Sequence, residues 1–268
     1  MQAIDTALVM KTLEPIWRTK TETASRLRGR IEAVLDWATV REFRQGDNPA
    51  RWRGHLDHLL PQRTKVQKVQ HHPALPYSDI GAFMGEVRSQ EGHAARALEF
   101  LILTAGRTGE VIGARWDELD MGEKTWTVPG NRMKTGKEHR VPLSPVASGL
   151  IEAQRAIAPG EFIFPGGRPG KPLSNMAILK LLERMKRDDL TAHGFRSTFR
   201  DWAAEQTNFP REVAEMALAA LAHTIGDKVE AAYRRGDLFE KRRKLMETWA
   251  TYCESQPAGE VVPLALDR

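Results

Sequence analysis

A single cysteine, Cys253, in 268 residues excludes an intrachain disulfide and any multi-cysteine metal site. No apolar run approaches the roughly 20 residues needed to cross a bilayer, so no membrane partner is expected. The N-terminal stretch "MQAIDTALVMKTLEP" lacks the basic start, apolar segment and small-residue cleavage site of an export signal, and the expected compartment is the cytoplasm. Internal repeats are missing too. Histidines at 55, 58, 71 and 72 lie close in sequence without a supporting ligand set, so neither metal nor cofactor is expected.

What the chain does have is a lopsided charge. Residues 1–71 carry 13 Lys and Arg against 8 Asp and Glu, whereas the remainder carries 27 of each. All of the net +5 therefore sits in the first quarter, as expected of a part that grips a polyanion. Hydrophobic content of 41% with 28% charged residues is that of an ordinary globular protein with room for one large domain or two unequal ones.

Hydrophobic spacing predicts helices over 6–18 and 21–44, the second through Leu27, Ile31, Val34, Leu35 and Trp37. Residues 61–76, "PQRTKVQKVQHHPALP", are rich in proline and basic residues and read as a linker. Beyond it, helices are predicted near 78–90 and 93–105, the latter apolar on most sides and hence central. A break at Gly106–Gly109 and a short helix come next, then two strands in "KTWTVPG" and "HRVPLS" with "NRMKTGKE" as their hairpin. Further helices are expected at 145–157, 174–187, 192–206, 210–222, 227–235 and 237–253, before a flexible tail. The class is mainly helical with a small antiparallel sheet.

The stretch "LTAHGFRSTFRDWAAE" carries two faces. With His193 at the origin of a helical projection, Arg196 falls at about 300° and Arg200 at about 340°, while Phe195, Phe199 and Trp202 fall at about 180–240°. Thr191 is a candidate N-cap, and a helix N-terminus favours anions. Three more pieces carry candidate chemistry. Arg107 stands between Gly106 and Gly109, with Glu110 three residues on to orient it. Lys134 lies beside a glycine-containing turn, with Lys137 as a rival. His223 sits at an expected helix end and Tyr233 ten residues later. Singly, each has an ordinary reading as a solvated loop cation, a core histidine or a core tyrosine. The order Arg, Lys, His-x-x-Arg, His, Tyr makes a kit for attacking a phosphodiester.

The blocks "LTAGRTGEVIGARWDELD", "MKTGKEHRVPLS", "TAHGFRSTFRDWA" and "VEAAYRRGDLFEKRR" together resemble the tyrosine recombinase (phage integrase) family, most closely the integrases of genomic islands and satellite prophages. The resemblance covers about residues 3–253. It implies a partial core-binding, SAM-like helical domain over 1–66, a linker over 67–77, a catalytic domain over 78–255 and a flexible tail over 256–268. It implies site-specific recombination of a mobile element by metal-free DNA cleavage and rejoining. The implied roles are Tyr233 as nucleophile forming a 3′-phosphotyrosyl bond, Arg107 and Arg196 as phosphate clamp, and His193 handling protons. Lys134 would be the general acid, and His223 would bond the phosphate. Implied partners are duplex attachment sites, three further copies of the chain in a tetramer, and a DNA-bending accessory protein. Two departures stand out. The chain starts partway into the helical domain, and "EMALAALAHTIGD" is longer than the family's usual run, as if "LAA" were duplicated. Three residues absorbed in a helix would rotate the downstream side chains by about 300°; absorbed in a loop, they would spare the geometry. Alternatives are a DNA-binding remnant without recombination and a type IB topoisomerase-like enzyme.

Overall fold

A computed structural model describes residues 1–66, 73–133, 136–219 and 236–255. The chain divides into two compact units, residues 1–71 and 72–268. In the first, α1 (Thr6–Trp17) is capped by Asp5, whose carboxylate accepts from the Leu8 amide at 2.8 Å. It lies against α2 (Thr21–Val40), and a one-turn helix α3 (Arg63–Val66) comes after them. Val9, Leu13, Trp17, Ala24, Leu35 and Leu56 form the core. Trp17 stacks on Trp52 at 5.5 Å and donates its indole N–H to the Pro61 carbonyl at 2.9 Å. Leu27 and Ile31 pack against this core, but Val34 and Trp37 point outward, at 52% and 55% exposure. The helix their spacing predicts is there, and α2 is apolar over more of its circumference than α1 covers. Lys11, Arg18, Lys20, Arg30 and Arg53 are exposed on this unit.

The second unit is built around α5 (His93–Thr104), in which every residue from Ala97 onward is buried. Glu99 is tolerated there because Arg88 and Arg96 pair with it at 2.6 and 3.0 Å. Around α5 lie α4 (Ile80–Arg88), α6 (Thr108–Ile112), α7 (Pro145–Ile157) and α8 (Ala177–Arg184). So do α9 (Gly194–Gln206), α10 (Arg211–Ala217) and α11 (Phe239–Glu254). Ser144 caps α7 through the Ala147 amide, with Pro145 in the first turn where its missing N–H is harmless.

The sheet is antiparallel in the order β1 (Leu119–Asp120), β2 (Thr125–Val128), β3 (His139–Pro142), with Trp126 opposite Val141 and Val128 opposite His139. The two expected strands are β2 and β3; β1 is an addition, two residues long and too short to carry an alternating pattern. The mainly helical class with a small antiparallel sheet is borne out. The end of the helix expected over 210–222 from residue 220 on, the helix expected over 227–235 and the tail 256–268 fall outside the described residues.

The aromatic face of α9 fixes its place. Phe195 stacks on Phe83 of α4 at 5.1 Å, Phe199 meets Trp249 of α11 edge-on at 5.4 Å, and Trp202 lies 4.9 Å from Trp249. Trp249 in turn donates to the Ile102 carbonyl of α5 at 2.8 Å. At the start of α9 the chain entering α4 crosses closely, and a Cβ on Gly194 would stand 2.0 Å from the Pro73 carbonyl oxygen. Only glycine fits between His193 and the helix. Thr198 ties the same crossing by donating to the Leu75 carbonyl at 2.6 Å.

Candidate active site

The end of α5 turns left-handed at Ala105 (φ 49°), an unusual conformation for a residue with a Cβ, and this throws the chain into the Gly106–Arg107 turn. Arg107 is the N-cap of α6. The buried Glu110 carboxylate reaches back to it twice, accepting from the Arg107 amide at 3.1 Å and from its Nη1 at 2.6 Å. The guanidinium is therefore aimed by a fixed carboxylate, as the spacing suggested. Its Nη2 donates to the Ala219 carbonyl at 2.9 Å and to that of Leu218 at 3.4 Å.

Arg196 reaches the same place from α9. It is 8% exposed, and its Nη1 and Nη2 donate to the carbonyls of Ala105 and Leu218. Burial pushes its pKa down to about 10, with the neighbouring Arg107 charge in the same direction and Glu110 and Glu215 opposing. It stays cationic at neutral pH. Two guanidiniums thus converge on one carbonyl oxygen, that of Leu218. His193 is exposed at the N-cap of α9, and Thr191 caps by accepting from the Gly194 amide at 3.0 Å. The helix starts two residues later than expected, at Gly194. Arg200 points elsewhere, pairing with Glu215 at 2.8 Å.

Lys134, His223 and Tyr233 lie outside the described residues. Their flanks are described. Lys137 is exposed beyond the turn closed by the Gly136 amide on the Met133 carbonyl at 3.1 Å. α10 ends at Ala217, and Ala219 takes a left-handed φ of 47°. The expected helix over 210–222 is therefore cut short before the "LAA" segment is complete, and α10 does not carry its rotation onward. Among the described residues no group of three or more His, Cys, Asp or Glu is placed to hold a metal ion.

Two residues beside the arginine pair escaped sequence reasoning. Arg132, before Lys134, bonds the Glu118 carboxylate and the Glu110 carbonyl. His139 on β3 lies beside the Ala217 carbonyl at the end of α10. Burial lowers its pKa to about 4, helped by Arg242 of α11 and by Arg107, against the opposing Glu110 carboxylate and Ala217 carbonyl. The ring is neutral at pH 7. An unfolded histidine takes a proton near pH 6.5 while the folded one resists until about 4. The unfolded state thus binds more protons between those values, and stability falls with acidification. Between pH 6.5 and 5 the loss is expected to be about 2 kcal/mol. Urea unfolding at the two pH values measures it, and His139→Asn should flatten the difference.

Residues 75–236 match the phage integrase family, and residues 1–55 match the phage integrase central domain. Prophage integrase IntZ of Escherichia coli is 33% identical over 259 residues, 96% of this chain and 61% of its own length. Prophage integrase IntA of the same organism is 37% identical over 164 residues, 60% of this chain and 39% of its own length. The chain thus spans roughly four- to six-tenths of these relatives. In fold it is similar to a lambda integrase tetramer bound to a Holliday junction, with a TM-score of 0.62 at 18% identity over 86% of this chain and 68% of that one. It is also similar to the Tn1549 transposon integrase in complex with circular intermediate DNA, with a TM-score of 0.60 at 14% identity over 92% and 86%. The chain belongs to the phage integrase family of tyrosine recombinases.

Proposed function

We propose that this chain cuts and rejoins DNA at specific sites, integrating or excising a mobile element, through a covalent bond between Tyr233 and a DNA 3′-phosphate. The observation that carries the reading is the convergence of Arg107 and Arg196 on the Leu218 carbonyl. A place where one oxygen accepts from two guanidiniums is suited to a phosphate oxygen, which gains charge in the pentacoordinate transition state.

In this reading the Tyr233 hydroxyl attacks phosphorus, the bond to the 5′-oxygen breaks, and Lys134 supplies the proton that oxygen takes up. His193 manages the proton of the attacking hydroxyl and His223 bonds the phosphate. The guanidiniums supply the positive charge at phosphorus, so the steps need no metal and no cofactor. The phosphotyrosyl bond conserves the energy of the broken linkage, and religation needs no nucleotide. Residues 1–66, with their exposed basic side chains, serve as part of a helical clamp on duplex DNA, joined by a linker over 67–77 to the catalytic domain over 78–255. The chain would work in the cytoplasm as four copies on two duplexes, as the lambda integrase tetramer on its Holliday junction suggests, with a DNA-bending protein as accessory.

The test uses a nicked suicide duplex carrying the core site, in EDTA. An SDS-resistant protein–DNA band that vanishes with Tyr233→Phe is the expected result. A gel shift without any such band would overturn the enzymatic reading in favour of a DNA-binding remnant, and supercoil relaxation without recombinants would favour a topoisomerase-like role.

A further inference from the structure

Arg196 and Arg200 stand four residues apart on α9, and both cross to α10. Arg196 Nη2 donates to the carbonyl of Leu218, the C-cap of α10. Arg200 Nη2 meets Glu215 Oε1 at 2.8 Å, three residues earlier on that helix. Residue numbers rise along α9 and fall along α10, so the two bonds are successive rungs between antiparallel helices. Arg211, in the first turn of α10, approaches the same carboxylate oxygen at 3.7 Å. Apolar packing does little to fix the register on this side. Ala203 and Ala204 of α9 and Ala214 of α10 line a cavity of about 450 Å³ together with Phe209, beside the ion pair.

Stability alone does not account for that carboxylate. The Glu215 side chain is 4% exposed, against 50% for Arg200, and a buried ion pair is often replaced by apolar side chains of similar volume with no loss. Its surroundings supply a reason. The Glu215 charge reaches Arg196, where with Glu110 it opposes the lowering of that guanidinium's pKa. Glu110 is itself bonded to Arg107 on α6. One carboxylate therefore stands beside each arginine of the pair, and that of Glu215 is anchored from the solvent side by Arg200.

We propose that Arg200 and Glu215 are positioning residues that hold the last turn of α10 in register with α9, so that the Leu218 carbonyl stays where Arg107 and Arg196 meet. The inference rests on the recombinase reading above. Arg200 acts through α10 on the direction of the two guanidiniums, and not by touching DNA.

The test compares stability with rate in the full chain. Arg200→Leu combined with Glu215→Met removes the pair without leaving a buried charge, and its urea midpoint is expected at or above that of the parent. Cleavage of the nicked suicide duplex, in single turnover at saturating DNA, should nevertheless fall about 10²-fold, the range of a catalytic group displaced by about 1 Å. Half-saturation by DNA should change little, because no phosphate contact is lost. Arg200→Ala should be as slow as the double variant, whereas Arg200→Lys keeps a donor for Glu215 and should stay within a few-fold of the parent rate. Where the double variant does not fold, this Ala–Lys comparison carries the test. Cleavage at the parent rate without the pair, or a Lys variant as slow as the Ala variant, would overturn the proposal. So would Arg200 variants that lose affinity with a smaller salt dependence and cleave normally at saturation, a result that makes Arg200 a phosphate contact. If the parent chain forms no adduct, the recombinase reading itself fails.

Discussion

Arg196→Ala is expected to slow covalent cleavage at least about 10³-fold while leaving the affinity for duplex DNA within a few-fold. The first figure comes from losing a guanidinium aimed at a transferring phosphoryl group, an interaction worth about 10³–10⁵ in comparable chemistry. The second holds because one phosphate contact is a small part of a grip spread along the backbone. Arg196→Lys should fare little better. The planar guanidinium donates through separate nitrogens to the Ala105 and Leu218 carbonyls, two points brought together from the end of α5 and the end of α10. A compact ammonium on a flexible stem does not hold both and still face a phosphate. Arg196→Ala also takes its donor from the buried Ala105 carbonyl, a loss of about 1–3 kcal/mol, while the Leu218 carbonyl keeps its longer bond from Arg107. Single-turnover assays on the suicide duplex, beside gel shifts and urea unfolding, separate the three effects. A variant that binds DNA normally and cleaves at the parent rate would remove Arg196 from the clamp.

Much of this site was legible because it is written in short-range chemistry. The two faces of α9 come from helical periodicity, and the structure buries Phe195, Phe199 and Trp202 as that periodicity requires. Arg107 and Glu110 are three residues apart, so their pairing is local. The apolar residues on most sides of α5 announced a central helix. What was not legible depends on neighbours distant in sequence. Val34 and Trp37 have the right spacing to be buried, but spacing does not say how wide a face α1 covers. Arg132 and His139 stand in a run of basic residues where counting charges does not tell which one turns inward; the partners that decide it, Glu118, Glu110 and Ala217, lie on other elements. The end of α10 is the sharpest case. "EMALAALA" has high intrinsic helix propensity, and local preference would carry the helix through it. The helix nevertheless stops at Ala217, where the next two carbonyls bond to the two arginines and Ala219 adopts a conformation that no helix contains. Tertiary bonds to charged donors outweigh propensity differences of a few tenths of a kcal/mol per residue.

Stopping α10 there also bears on the proposed cleavage. Because the Ala219 carbonyl is bonded to Arg107, the chain leaves α10 from a point beside the clamp. His223 comes four residues after Ala219, a distance along an extended backbone of up to about 13 Å. Deleting Leu218, Ala219 and Ala220 leaves Met216-Ala217-Leu221-Ala222-His223, so that Leu221 and Ala222 offer the two carbonyls and the histidine comes next, about 3.8 Å away from one Cα to the other. The deletion is expected to raise single-turnover cleavage about 10²-fold, the cost commonly attached to a misplaced catalytic group. Its effect should run through that one side chain: His223→Ala should slow the parent, abolish the gain in the deleted chain and bring the two to one rate. An unchanged rate on deletion would mean that the histidine reaches its place regardless of the three added residues. A fall in rate would mean that the longer segment is part of the working arrangement, with the spacing of this chain selected and not inherited by accident.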